Sequence, residues 1–136
     1  MFTRIVVAND GSEGGFKALA SGCDLAKRYG AALHMISVEE LPDFPASIDE
    51  VVEIKADEYH EALEHSRATA AAAGVALDAE VLAGHAAALV VERVKALNAD
   101  LLVVGFMGHS ALYERIIGGT TDRLVRLAPC PVLVAK

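Results

Sequence analysis

Four glycines and two threonines crowd one stretch of this chain. Gly105 and Gly108 stand three apart directly after the apolar run Leu101-Leu102-Val103-Val104, and Gly118-Gly119-Thr120-Thr121 follows. Glycine lets a backbone approach an anion with no Cβ in the way, and the first turn of a helix offers unpaired N–H groups and the positive end of a dipole. Thr120 and Thr121 would add hydroxyl donors. The chemistry such a stretch performs is capture of phosphate oxygens. The same residues also serve tight turns and helix caps, and their types alone leave both uses open.

What accompanies these glycines argues against catalysis. Neither G-x-x-x-x-G-K-[ST] nor G-x-G-x-x-G occurs, and residues 101–130 hold no lysine, so the ammonium that grips phosphate in a P-loop enzyme is missing there. Ser12 and Ser110 lack the setting of a nucleophile elbow. His60 and His65 are five apart, roughly 140° around a helix, which is a poor arrangement for sharing one metal. His34 and His85 have no partner pattern and read as structural or exposed. The acids Glu39, Glu40, Asp43, Asp49, Glu50 and Glu53 read as a solvated loop and helix start, with no metal claimed there. Cys23 and Cys130 have no metal-type spacing and read as reduced packing residues. No catalytic residue is assigned.

The elements that must hold the glycines follow from periodicity. Ile5-Val6-Val7-Ala8 is a buried strand ending near Asn9-Asp10-Gly11-Ser12, a turn and helix cap. A helix carrying Phe16, Leu19, Ala20, Cys23 and Ala26 on one face runs to Gly30. Leu33 to Val38 is the second strand. Pro42 and Pro45 make Glu39 to Asp49 the longest loop, a candidate lid, and a second helix spans about Asp49 to Ala73. Leu77 to Leu82 alternates as a strand nearer an edge, and a third helix spans Ala86 to Leu97. Leu101 to Val104 is a central strand. The last helix presents Leu124, Val125 and Ala128, and the strand Pro131 to Ala135 closes the series.

Alternating strands and helices in 136 residues predict one α/β domain over 1–136, with a doubly wound, flavodoxin-like sheet of five parallel strands. In such a sheet the ligand crevice lies beyond the carboxyl ends of the strands where the winding switches, here between strands one and four. A hydrophobic share of 54% with 5% aromatic residues suits an Ala/Val/Leu/Ile core. The net charge of −7 argues against nucleic acid, which is held by clustered Lys and Arg. No leader pattern and no run of membrane-spanning length is visible, so the expectation is a cytoplasmic protein.

Together these features resemble the universal stress protein family. The resemblance rests on Gly105-x-x-Gly108, nine intervening residues and Gly118, on the ending Ala128-Pro129-Cys130-Pro131-Val132-Leu133-Val134, on Ile5 to Ser12, and on Ala99 to Gly105. It implies the strand order 3-2-1-4-5 and ATP held between strands one and four, with ADP or AMP as alternatives and magnesium as a companion. Ala8, Asn9 and Asp10 would border ribose and adenine, and the Val38 backbone would meet the adenine edge. Val104 and Gly105 would line the floor. Gly108, Gly118, Gly119, Thr120 and Thr121 would cradle phosphates and ribose. Two positions depart from the pattern: Gly119 stands where Ser or Thr is usual, and Met107 where a basic or imidazole residue is common. Both remove polar contacts from the phosphate end; His109 and Arg115 are candidates to compensate, although each reads first as a solvated loop residue.

The final strand, if it is an edge, exposes unpaired backbone that a second copy would cover, and the resemblance likewise implies a homodimer through 131–135. Three functions are compatible with the sequence. The first is an adenine-nucleotide-binding stress or signalling protein with at most incidental ATPase activity. The second is an interaction module of the same family that does not bind nucleotide, and the third is an enzyme acting on a nucleotide.

Overall fold

The computed structural model describes residues 1–39, 48–106 and 119–136, and side chains throughout these except at 48–59. The predicted elements at Met107, Gly108, His109, Arg115 and Gly118, and most of the loop after Glu39, lie outside the described residues.

Five strands alternate with four helices: β1 (Arg4–Ala8), α1 (Glu13–Tyr29), β2 (Ala32–Glu39), α2 (Ile48–Ala72), β3 (Leu77–Ala83), α3 (Ala86–Ala96), β4 (Leu101–Gly105), α4 (Gly119–Leu127) and β5 (Val132–Ala135). The sheet is parallel throughout, as the sequence predicts, and its order β3-β2-β1-β4-β5 is the one the family resemblance implies. Val7 lies opposite both Met35 of β2 and Val103 of β4, so β1 is the central strand and β2 and β4 flank it. Their apolar runs follow from that place, because a strand with helices on both faces has no solvent side.

Right-handed crossovers put α1 and α2 on one face, and the reversal between β1 and β4 sends α3 and α4 to the other. Side-chain alternation divides the core accordingly. Ile5, Val7, Leu33, Met35, Leu101 and Val103 pack with Leu19, Cys23, Ala26 and Ala70 beneath α1 and α2. Val6, Ile36, Val38, Leu102 and Val104 pack with Val90, Val94 and Leu124 beneath α3 and α4. Each fully buried Val, Leu or Ile contributes about 1.5–3 kcal/mol.

Two helix faces differ from their predicted stripes. Ala20 is exposed, because α1 buries Gly15, Ala18, Leu19, Gly22, Cys23 and Ala26, and Ala20 lies a further 100° round from Leu19. Val125 is 45% exposed, since the short α4 buries only Thr121 and Leu124, and Ala128, expected on the same stripe, lies just past its end and is half-buried. Cys23 is buried, Cys130 is half-buried against the second core, and both are free thiols. Burial pushes both thiols above their ordinary range, with the nearby Asp100 charge raising Cys130 further against a hydrogen bond from Leu102 that lowers it.

Candidate functional site

At the carboxyl end of β1 the chain makes a turn held by its own side chains. The Asn9 N–H still donates to Ile36 O at 3.0 Å, continuing the ladder past the last strand residue. Its side chain then turns inward and is 3% exposed. Asn9 Oδ1 accepts from the Gly11 N–H at 2.9 Å, and Nδ2 faces Ser66 Oγ at 3.5 Å and Met35 Sδ at 3.6 Å. Asp10 Oδ1 accepts from the Ser12 N–H at 3.0 Å and from the Ser12 hydroxyl. Ser12 Oγ in turn accepts from the Gly15 N–H at 3.1 Å, capping α1. Asn9 and Asp10 therefore shape this corner by accepting from the backbone around it.

The carboxyl end of β4 meets the same corner. A Cβ on Gly105 would lie 2.6 Å from the Gly14 carbonyl carbon, and one on Gly15 would lie 2.2 Å from Asn9 Oδ1. The first turn of α1 thus rests directly on the ends of β1 and β4, which only glycine at these places permits. From the opposite face, the Thr121 hydroxyl donates to Gly105 O at 2.6 Å, tying the first turn of α4 to the end of β4. Thr121 is buried, Thr120 is exposed, and the space beside the Gly119 α-carbon is open. Two helix amino ends and two strand carboxyl ends converge here, an arrangement suited to negative oxygen atoms.

Of the residues singled out in the sequence, Ala8, Asn9, Asp10, Val104, Gly105, Gly119, Thr120 and Thr121 sit on β1, β4, α4 and the turns beside them. Val38 lies near the end of β2, opposite Leu82, and is buried. Met107, Gly108 and Gly118 lie outside the described residues. Sequence reasoning missed Gly14, Gly15 and Ser66. The adjacent glycines at the start of α1 were the available signal, since a helix seldom opens on two of them without a close neighbour.

The universal stress protein family model matches residues 1–136. The chain belongs to the universal stress protein family. A universal stress protein of Methanocaldococcus jannaschii is 32% identical over 141 residues, covering 100% of this chain and 83% of the relative. Universal stress protein YxiE of Bacillus subtilis is 30% identical over 148 residues, covering 100% of both. The structure of universal stress protein UspA from Lactobacillus plantarum superimposes with a TM-score of 0.89 at 24% identity, over 98% of this chain and 97% of that one. A universal stress protein solved in complex with cAMP matches at TM-score 0.79 and 22% identity, over 99% and 97%. One from Archaeoglobus fulgidus in complex with dAMP matches at 0.70 and 19% identity, over 98% of each chain. At these identities the structural likeness speaks for the fold.

Proposed function

We propose that this universal stress protein binds an adenine nucleotide, ATP foremost with ADP or AMP as alternatives, at the carboxyl ends of β1 and β4, and acts non-catalytically in a stress response or signalling. The observation that carries this reading is the convergence of Asn9-Asp10-Gly11, Gly105 and the first turns of α1 and α4 at the point where the winding reverses. Adenylates in two solved relatives support it. Adenine would lie by the Val38 backbone, with Ala8 to Asp10 bordering ribose and adenine and Val104 and Gly105 as the floor; Gly108, Gly118, Gly119, Thr120 and Thr121 would cradle phosphates and ribose, with Met107 beside them and magnesium as a companion ion. Bound nucleotide would set the shape of the crevice for a protein partner.

The working form in this reading is a cytoplasmic homodimer joined through β5, an edge of the sheet. Among the described residues no helix is long and apolar enough to cross a membrane. Isothermal titration with ATP, ADP and AMP tests the binding, and denaturing freshly purified protein to identify any released ultraviolet-absorbing ligand tests it independently. Heat with none of the three and no released ligand would favour the second reading, an interaction module without nucleotide. One observation favours that second reading: Thr121 spends its hydroxyl hydrogen on Gly105 O, and Gly119 brings no side-chain donor.

A further inference from the structure

The fold brings to this crevice a cation that lies outside the glycine segment in sequence. Gly105 is the register partner of Ala135, and the Phe106 N–H donates to Ala135 O at 2.9 Å, so Lys136 emerges from β5 beside Phe106. Alternation fixes the face. Val104 and Val134 pack in the core under α3 and α4, while Ala135 packs under α1 and the Cβ position of Gly105 faces Gly14, so the alternation carried one residue past the strand ends directs Phe106 and Lys136 toward the α4 side. Lys136 Nζ indeed stands 5.0 Å from the Phe106 ring centroid, a cation–π contact. From α4 the Thr121 hydroxyl donates to Gly105 O, one residue before Phe106. Among the described residues Lys136 forms no salt bridge, whereas Arg126 of α4 is paired with Asp122.

The sheet order gives this placement its meaning. If adenine lies at β2, ribose at β1 and the first phosphates at β4, the ligand runs across the sheet in the order β2-β1-β4, and the next strand is β5. Neighbouring strands are about 4.8 Å apart, so each step along the polyphosphate carries the chain toward Lys136. We infer that Lys136 is the cation that pairs with the terminal phosphates of the bound nucleotide, and that it makes the site grade adenylates by phosphate number. This rests on the adenylate reading above. The ammonium waits on the Phe106 ring, exchanging a weak cation–π contact for a charge-assisted one when phosphate arrives.

The test is titration of the full chain and of its K136M, K136Q and K136R variants with ATP and AMP at two salt concentrations. Lys136 lies beyond the last strand residue and is exposed, and urea midpoints establish that the variants fold. A lost unit charge near a partly solvated phosphate corresponds to about a tenfold weakening of ATP binding in K136M and K136Q. AMP should change less than about twofold, K136R should retain most ATP affinity, and the salt dependence of ATP binding should flatten in K136M. ATP and AMP weakened equally, or neither weakened, would overturn the role of Lys136 while leaving adenylate binding intact. A wild-type chain that takes neither nucleotide would overturn both.

Discussion

Gly105 and Gly14 meet backbone to backbone: a Cβ on Gly105 would stand 2.6 Å from the Gly14 carbonyl carbon and 2.7 Å from its oxygen. The obstacle is main chain held by the cap of α1, so it cannot swing aside as a flexible side chain would. Gly105→Ala should therefore lower stability by about 1–3 kcal/mol, as overpacking does, by forcing α1 away from β4. Urea unfolding measures this directly. A midpoint equal to that of the wild type would show that the helix start yields without cost.

Asn9 differs in kind, because it is buried and its contacts are unequal. The 2.9 Å bond from the Gly11 N–H holds the turn, whereas the contact with Ser66 at 3.5 Å is at the limit of a hydrogen bond. Asn9→Ala should cost about 1–3 kcal/mol, through an N–H without its acceptor and a vacated space. Ser66→Ala should cost less than about 1 kcal/mol, since Ser66 Oγ mainly donates to Ala62 O within its own helix. Equal losses in the two variants would contradict this division.

Thr121 makes one checkable bond. Thr121→Val keeps the shape and removes the donor to Gly105 O, for an expected loss of about 1 kcal/mol, while Thr121→Ser should stay near wild type. Thermal unfolding of the pair separates hydroxyl from methyl, and a serine variant as unstable as the valine one would assign the effect to packing.

Far from the crevice, Asp100 pins the amino ends of β1 and β4: Oδ2 accepts from the Thr3 N–H and hydroxyl at 2.8 Å each, and Oδ1 accepts from the Arg4 N–H at 3.0 Å. Burial pushes the carboxyl upward, but these donors from Arg4 and Thr3 outweigh it and hold its pKa below the ordinary carboxylate range. A depressed folded-state pKa gives stability that is present above the unfolded value, about 3.9, and lost as pH falls through the folded one. Asp100→Asn should cost about 1 kcal/mol at pH 7, and the gap should shrink as denaturation is repeated toward pH 3. A gap independent of pH would remove the carboxylate from the explanation.

How much of this was legible in the sequence depended on how each residue is used. β1 and β4 announced themselves because burial on both faces demands unbroken apolar runs, whereas the strand order came only from the family resemblance, since alternating strands and helices leave more than one winding open. Ala20 and Val125 misled because each lies next to a truly buried residue, and apolar character alone does not fix the edge of a narrow helix stripe. The inward turn of Asn9 had no signal, since asparagine after a strand reads as a turn whichever way its amide points. Lys136 was equally hidden, as its nearness to Gly105 arises from β4–β5 register and not from spacing along the chain.

That register also frames the prediction about assembly. β5 pairs with β4 on one side and is the last strand of the sheet, so its outer N–H and C=O groups are those of an edge. Leu133 on β5 is 39% exposed, and Val125 and Leu127 on α4 are 45% and 53% exposed. A second copy pairing along β5 would bury Leu133 and satisfy both edges with one two-fold contact. Light scattering at micromolar concentration should therefore give twice the chain mass. Leu133→Lys, which would bring an ammonium into each half of that contact, should weaken the dimer by at least about tenfold while leaving the monomer fold unchanged by circular dichroism. A wild type that is strictly monomeric at that concentration, or a lysine variant that dimerises as tightly, would rule out β5 as the joining strand.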